Sequence, residues 1–487
     1  MKLKPLLAIV LSFLALATSA KETIIKGKIN GKLPETLYYT APVNSALGFH
    51  LYYTAKVDAL GEFEIKADLA EISFIDIYYN YQPAGALIAL PGVSYGVTIN
   101  ESSGKVTHSI TGSTIAEAQT WYSSVVNNHR EAVFIDLAMM LAKLETAKAI
   151  TEEAKVLESR DAAAIKKLYD NKAISNELYT LLLNERSYLY ATSLGYAFLL
   201  KHIFAMRETT PPDLTEFAGA WSALYKRHNP ANSAISKYPW GNYFLDMYKN
   251  YKLYESVGFD GKKISEQDHF EIRKRNMAFI PSQNAEYYYA AKLYEDAFGG
   301  QKEKAVLAEM AYLKEKFPKS GFITYLEPVI APIESFYSEN NSLPPGATFV
   351  ENYSDINSIA ELIKKFPNQK LYFDTWATWC GPCREEFKYK RGLYKLLKEN
   401  NIAVIYVSID KDDKDETWKK MISLYELEGR HLRANKLLEN DFIKLYDDNG
   451  GIAIPWYLLV GKDGKIKYEH AASASELDKL KEQIKTL

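Results

Sequence analysis

The sequence has only two cysteines among its 487 residues, and no long apolar run follows its first twenty residues. A membrane-spanning helix needs roughly 20 consecutive apolar residues, so we expect a soluble protein that does not cross a bilayer. Neither sign of charge is in excess, because 59 Lys and Arg face 61 Asp and Glu, for a net charge of −2. That balance gives no electrostatic reason to expect nucleic acid or an anionic membrane as a partner.

The first twenty residues, MKLKPLLAIVLSFLALATSA, place Lys2 and Lys4 ahead of a short apolar run that ends in small residues. This pattern predicts a secretory signal peptide over residues 1–20 and therefore an exported protein. No cysteine directly follows the apolar run, so we expect no lipid anchor at that point.

The two cysteines lie three positions apart, as Cys380-Gly381-Pro382-Cys383. Stray thiols pair wrongly in an oxidising compartment, so an exported chain with one close pair of cysteines indicates a working dithiol. Cys380 precedes a predicted helix, whose unpaired N–H groups and dipole favour a thiolate. Cys383 lies on the same helical face, so it can displace a product bound to Cys380.

Three neighbours of the cysteines are predicted to assist. Asp374, six residues before Cys380 in a predicted buried strand, would have a raised pKa and accept the proton of Cys383. Arg384 would add positive charge at the helix start. Pro382 suits the first turn of a helix, where its missing N–H costs nothing.

Two other uses of the cysteine pair stay open but are less favoured. A closed zinc site needs four ligands, and the sequence has neither a second cysteine pair nor a His-x3-5-His pair. A purely structural disulfide that closes about four residues stabilises a fold by only roughly 2 kcal/mol. We therefore predict no metal, and thiol-disulfide exchange itself needs no cofactor.

The pattern along the chain predicts a multidomain protein. Short strand-like runs separated by turns indicate a small antiparallel β domain, and long segments of helical spacing indicate an all-α middle domain. Alternating strands and helices then indicate a C-terminal α/β domain with a mixed sheet covered on both faces; within it, we predict one helix from Pro382 to Asn400. The predicted boundaries are 21–112 for the β domain, 113–337 for the helical domain, 338–348 for a linker and 349–487 for the α/β domain.

The segment FDTWATWCGPCREEF, residues 373–387, resembles the thioredoxin superfamily, specifically the TlpA/ResA-type periplasmic disulfide reductases. The resemblance implies that Cys380 is the nucleophile, Cys383 the resolving thiol and Asp374 the buried acid. It also implies that Glu386 matches the active-site glutamate of the ResA-like group. Three residues around the nucleophile are expected to contact substrate: Trp379, Gly381 and Pro382.

A second segment, GIAIPWYLLVGKDG at 451–464, resembles the cis-proline segment of the same family. The resemblance implies that Pro455 lies against the disulfide and that the backbone of Ile454 pairs with an extended substrate. Two residues depart from the family pattern. Lys388 stands where many thioredoxins have a helix-kinking proline, and Tyr406 stands where thioredoxin has a lysine near the buried acid.

The Gly-Pro pair between the cysteines resembles thioredoxin, a reductant near −270 mV. We therefore expect a periplasmic reductase of exported proteins with disulfides, recharged by a membrane thiol or electron carrier. Residues 414–435 look like an insertion that resembles multidomain members from Bacteroidetes-like bacteria. Two alternatives stay open: a disulfide isomerase that forms a homodimer, and an envelope binding or scaffold protein with an accessory redox domain.

Overall fold

The computed structural model describes residues 20–49, 52–80, 82–126, 130–206, 213–261, 277–298, 302–338, 342–446 and 451–487. The predicted signal peptide, apart from its last residue, lies outside the described residues. The chain divides into two compact units. The N-terminal unit comprises Met1–Glu295 and Ala311–Leu326, and the C-terminal unit comprises Asp296–Met310 and Glu327–Leu487.

Two four-stranded sheets begin the N-terminal unit. Residues that alternate between polar and apolar side chains form the strands, as in Glu62–Leu69, where every second residue is buried. The sheets have the strand orders β4-β1-β7-β8 and β3-β2-β5-β6, and both contribute to one apolar core. The strands are β1 (Lys21–Asn30), β2 (Leu37–Thr40), β3 (Tyr52–Ala55), β4 (Glu62–Leu69), β5 (Ser73–Tyr79), β6 (Gln82–Ala89), β7 (Ser94–Ser102) and β8 (Lys105–Thr111).

The prediction of a purely antiparallel β domain is wrong at one pairing. Strand β1 pairs antiparallel with β4 but parallel with β7, with Ile25 opposite Tyr95. Parallel neighbours need a crossover connection rather than a tight turn. Between β1 and β7 the chain runs through β2 and β3 of the second sheet, returns to the first sheet as β4 beside β1, and then passes through β5 and β6 of the second sheet. The turn residues in the sequence mark where strands end but do not reveal this return.

Helices follow the sheets, as the sequence predicts for the middle of the chain. Two of the longest helices begin with a side-chain N-cap. The side chain of Thr146 accepts a hydrogen bond from the N–H of Ala149, and the side chain of Ser175 accepts one from the N–H of Leu178. The boundaries between the two compact units fall inside three helices of this region, at residues 295/296, 310/311 and 326/327. The helices are α1 (Ala116–Val125), α2 (Arg130–Ala142), α3 (Ala147–Asp170), α4 (Asn176–Ala205), α5 (Thr215–Arg227), α6 (Gly241–Ser256), α7 (Ser282–Phe298), α8 (Ala305–Lys316) and α9 (Ile323–Ser338).

A buried ion pair lies within the helices of the N-terminal unit. Arg186 donates to both carboxylate oxygens of Glu185, at 2.5 and 2.6 Å, and both side chains are almost fully enclosed. The indole N–H of Trp240 donates to the same carboxylate at 2.7 Å, and the ring of Tyr122 lies 5.8 Å from the guanidinium carbon. The desolvation of both charges is thus offset by direct pairing and by further hydrogen bonds.

The C-terminal unit is built on a six-stranded mixed sheet with the order β14-β13-β10-β11-β12-β9. Strands β9 to β12 are parallel to one another, whereas β13 and β14 run antiparallel to their neighbours. Its elements are β9 (Ala347–Phe349), α10 (Ile359–Lys364), β10 (Lys370–Trp376), α11 (Gly381–Glu386), α12 (Lys390–Glu399), β11 (Ile402–Ser408), α13 (Asp415–Leu424), β12 (Gly429–Arg433), α14 (Lys436–Tyr446), β13 (Trp456–Val460), β14 (Ile466–Tyr468) and α15 (Leu477–Ile484).

Helices cover both faces of this sheet, which confirms the predicted α/β architecture. Alternate residues of the central strand β10 point to opposite faces. Phe373 packs in a core that includes Phe442 of α14, whereas Tyr372 packs in a core that includes Leu396 of α12 and Leu480 of α15. Strand β10 is consequently buried over nearly its whole length.

Two details differ from the sequence prediction. The helix predicted from Pro382 to Asn400 is interrupted by a 3-10 turn at Phe387–Tyr389, although Lys388 is not a proline. The aromatic ring of Phe387 is buried at the break, against Trp376. The second difference is that part of the predicted insertion 414–435 is the sheet strand β12, which lies between β11 and β9.

The predicted domain boundaries remain a prediction. The structure places the β and helical elements in one compact unit and adds residues 296–310 and 327–338 to the other. Within the described ranges, no helix combines the length and the apolar character that crossing a bilayer requires.

We expect Arg186→Met to lower the free energy of unfolding of the N-terminal unit by about 3–5 kcal/mol, because it leaves Glu185 buried without its cation. Urea denaturation of the full chain measures this change. The control is Lys166→Met, which removes an exposed pair with Asp170 and should leave the transition in place. Equal small shifts in both variants would contradict the structural role of the buried pair.

Candidate active site

The two cysteines form a disulfide at the start of α11, with an S–S distance of 1.97 Å. Cys380 is the N-cap residue, and its Sγ accepts the N–H of Cys383 at 3.1 Å. Pro382 occupies the first turn, as predicted. The helix therefore directs a backbone N–H that has no partner within the helix, and its positive dipole end, at the Cys380 sulfur.

Little of either cysteine reaches solvent. Cys380 is 3% exposed and Cys383 is 1% exposed, whereas Trp379, directly before them, is 47% exposed. Both cysteines belong to an apolar cluster that also contains Trp376 and Phe387. The exposed ring of Trp379 is thus the part of this segment that reaches solvent.

The segment 451–464 lies beside the disulfide. The peptide bond between Ile454 and Pro455 is cis, and the carbonyl oxygen of Ile454 lies 3.7 Å from Sγ of Cys380. The sulfur carries no proton in the disulfide, so this is a contact rather than a hydrogen bond. The structure thus brings together two segments that are 74 residues apart in the chain.

Asp374 lies in the middle of the sheet, on β10 between Tyr406 of β11 and Tyr457 of β13. It is 4% exposed, and among the described residues none donates a hydrogen bond to its Oδ1. Burial, and secondly the negative charge of Glu386, raise the pKa of Asp374 to about 8. A carboxyl in this state can hold a proton at neutral pH and exchange it with a thiol of similar pKa.

Glu386, the last residue of α11, is half-buried. Its carboxylate accepts the N–H of Ser475 at 2.9 Å and the hydroxyl of the same residue at 2.8 Å. Its charge raises the pKa not only of Asp374 but also of Tyr372 and Tyr457, although burial is the largest cause for both tyrosines. Glu386 is therefore hydrogen-bonded within the protein at both carboxylate oxygens.

The side chains next to Asp374 on the neighbouring strands are tyrosines, which carry no positive charge. Tyr406 shares a hydrogen bond with Tyr394 at 2.8 Å and stacks on His431, with ring centroids 4.9 Å apart. Burial raises the pKa of both tyrosines and lowers that of His431 to about 4. These groups are neutral near pH 7, so Tyr406 supplies no cation where thioredoxin has a lysine.

The sequence analysis missed the residue that fixes the turn before Cys380. Asp410 accepts the N–H of Thr378 at 2.9 and 3.1 Å, the hydroxyl of Thr378 at 2.7 Å and the hydroxyl of Ser408 at 2.7 Å. A signal was available, because Asp410 follows a buried strand at the sheet edge where β10 also ends. Ser475 was missed as well, and its distance along the chain from Glu386 left no local signal.

Residues ahead of β9 also lie near the site within the C-terminal unit. Phe336 belongs to the apolar cluster of the two cysteines. Burial, and secondly the charge of Arg384, lower the pKa of Lys302. Arg384 turns back over α11, since its Nη2 lies 3.9 Å from where a Cβ would stand on Gly381. The surroundings of the dithiol thus include residues outside the predicted α/β domain.

The C-terminal part of the chain is similar in sequence to known proteins. The Redoxin family model matches residues 340–484. The thiol-disulfide oxidoreductase ResA of Bacillus thuringiensis subsp. konkukian is 30% identical over 125 residues, which cover 26% of this chain and 67% of that protein. ResA of Bacillus anthracis is 27% identical over 104 residues, covering 21% of this chain and 56% of that protein. A thiol-disulfide oxidoreductase of known structure from Bacteroides fragilis is 29% identical, covers 24% of this chain and 82% of that one, and has a TM-score of 0.21.

A disulfide at the first turn of the helix after a central strand, in a mixed sheet of this order, defines a thioredoxin-like thiol-disulfide oxidoreductase. Within that class, the chain belongs to the TlpA/ResA-type proteins of the thioredoxin superfamily.

The raised pKa of Asp374 makes the stability of the C-terminal unit depend on pH. An aspartate in an unfolded chain has a pKa of about 3.9, against about 8 here. Its stabilising contribution is fully present below about pH 4 and is lost as the pH rises through about 8. At pH 8 we expect Asp374→Asn to be more stable than the wild type by on the order of 1–3 kcal/mol.

Urea denaturation of the oxidised full chain at several pH values measures this difference. The gap between the variant and the wild type should widen from pH 4 to pH 8. Unfolding curves that remain parallel across this window would contradict a raised pKa for Asp374.

Proposed function

We propose that this protein is exported to the periplasm and reduces disulfides of envelope proteins through Cys380 and Cys383. The observation that carries the proposal is the position of Cys380 as the N-cap of α11, where its sulfur accepts a backbone N–H. The same position stabilises a sulfur that is negatively charged, which is the attacking form in thiol-disulfide exchange.

The proposed reaction has two exchange steps. The Cys380 thiolate attacks one sulfur of the substrate disulfide, forms a mixed disulfide and releases the other substrate sulfur as a thiolate. Cys383 then loses its proton and attacks Sγ of Cys380, which releases the second substrate sulfur. The substrate gains two electrons, and the enzyme is left with the Cys380–Cys383 disulfide seen in the structure.

Asp374 is proposed as the acceptor of the Cys383 proton. Its burial and its pKa of about 8 support this role, because a base is most efficient when its pKa lies near the working pH. Glu386 is proposed to tune this acid through its charge. Neither role requires a metal or a bound cofactor.

The substrate is proposed to be an extended polypeptide that lies over the exposed ring of Trp379 and along the backbone of Ile454. The closeness of the Ile454 carbonyl to the Cys380 sulfur supports this path. Main-chain pairing would supply affinity without demanding one substrate sequence. Three further residues would border the bound segment: Gly381, Pro382 and Pro455.

The oxidised enzyme must receive two electrons before it can act again. We propose that a membrane-embedded thiol or electron carrier supplies them, since an exported protein has no access to the cytosolic thiol pool. Under this proposal the predicted signal peptide delivers the chain to the compartment where both substrate and carrier are present.

We expect Cys383→Ser to accumulate mixed disulfides with envelope proteins, because the trapped intermediate lacks its resolving thiol. Non-reducing gel electrophoresis of the full chain, followed by identification of the attached proteins, measures this. Cys380→Ser should abolish insulin reduction. The double variant is the control and should form no adducts. A Cys380→Ser protein with undiminished turnover would refute the assignment of the nucleophile.

We expect Asp374→Asn to slow release of the mixed disulfide at pH 7 by roughly tenfold or more, because the amide cannot accept the Cys383 proton. Stopped-flow measurement of substrate release tests this. Asp463→Asn, which alters a carboxylate at an exposed turn, should release substrate at the wild-type rate. Unchanged release by Asp374→Asn would remove this residue from the mechanism.

A further inference from the structure

The loop before α15 is tied by hydrogen bonds to strand β10 and to Glu386. The hydroxyl of Tyr372 donates to the carbonyl of Ala472 at 3.0 Å, and the N–H of Ala472 donates to the side chain of Gln483 at 2.8 Å. Tyr372 belongs to the same strand as Asp374. The loop is therefore fixed both to the strand that carries the buried acid and to the helix that follows the loop.

Ser475 in this loop makes two hydrogen bonds to one carboxylate. Its N–H and its hydroxyl both donate to Glu386, at 2.9 and 2.8 Å, and they contact different oxygens. A carboxylate held at both oxygens has a defined orientation, and such charge-assisted bonds are stronger than neutral ones. Glu386 would otherwise be free to turn toward water, since it lies at the half-exposed end of a short helix.

The position of the Glu386 charge matters because the other groups around Asp374 are neutral. Around the buried carboxyl are Tyr372 of its own strand, Tyr406 of β11, Tyr457 of β13 and Tyr394 of α12. Burial raises the pKa of all four tyrosines, so they stay neutral. Glu386 and Glu476 supply the negative charge, and Glu386 is the one whose charge acts on Asp374. A like charge nearby favours the protonated form of a carboxyl.

We propose that Ser475 is a positioning residue, which holds the Glu386 carboxylate at both oxygens in one orientation so that the exchanged proton resides on Asp374. The inference rests on the proposed function, in which Asp374 accepts the proton of Cys383. In that step the S–H bond of Cys383 breaks, an O–H bond forms on Asp374, and no electrons leave the pair of groups. The electron pair left on the Cys383 sulfur then forms the disulfide.

The test follows the Asp374 carboxyl directly in the full-length oxidised protein. Carboxyls of ordinary pKa have lost their protons by pH 6.5, so an infrared band of protonated carboxyl above that pH reports the raised groups. The component that disappears in Asp374→Asn belongs to Asp374. In Ser475→Ala we expect its midpoint to fall by roughly half a pH unit, as one of two hydrogen bonds to Glu386 is lost.

Three further variants make the result specific. Ser475→Thr keeps the hydroxyl and should keep the wild-type midpoint. Glu386→Gln removes the charge and should lower the midpoint by more than Ser475→Ala does. Ser423→Ala removes a surface hydroxyl that donates to the carbonyl of Ser342, and it should change neither the midpoint nor the unfolding transition.

A Ser475→Ala midpoint equal to that of the wild type would overturn the inference, and so would a fall of equal size in Ser475→Thr. The two proposals can fail separately because the infrared midpoint requires no turnover. Trapping by Cys383→Ser with an unshifted midpoint would overturn the role of Ser475 alone. A shifted midpoint without trapping would instead overturn the proposed function.

Discussion

The hydrogen bonds between Thr378 and Asp410 hold the turn on which the dithiol depends. This turn spans the residues between the end of β10 and the start of α11, and Asp410 binds both the N–H and the hydroxyl of Thr378. Because Thr378 is fully buried, an unpaired N–H there would be costly. Burial also raises the pKa of Asp410, so the bonds that secure the turn must compensate for enclosing a carboxyl group. As a result, the turn holds Cys380 in place as the N-cap of α11.

Asp374 shows the opposite arrangement of a buried acid. Its neighbours across the sheet are tyrosines, and no described residue donates to its Oδ1. Both carboxyl groups are buried. Asp410 accepts hydrogen bonds from Thr378 and Ser408, whereas Oδ1 of Asp374 accepts none from the described residues. Their environments therefore suit different tasks, since a well-bonded carboxylate holds structure and a poorly bonded one can exchange a proton.

Much of the site could be predicted because its chemistry is concentrated in two short segments. The spacing of Cys380 and Cys383, the apolar strand ahead of them and the Ile454-Pro455 pair are all local features. Ser475 could not be predicted, because its contact with Glu386 joins residues 89 positions apart. Strand β12 was missed for a physical reason: its sequence GRHLR is polar, and pairing on both sides, rather than side-chain alternation, makes it a strand. The parallel pairing of β1 with β7 likewise depends on the path of the chain through a second sheet.

The membership of residues 327–338 in the C-terminal unit bears on how the molecule can be cut. Phe336 is part of the cluster around the cysteines, and the hydroxyl of Tyr337 bonds to Thr417 at 2.6 Å. A fragment that began at residue 340, where the match to the Redoxin family model begins, would lose both aromatic rings and uncover the apolar side chains beneath them. Such newly exposed patches promote self-association. Cleavage by a protease after residue 338 would thus produce a C-terminal fragment prone to self-association. Cleavage ahead of Glu327 would instead leave both aromatic rings on the C-terminal fragment.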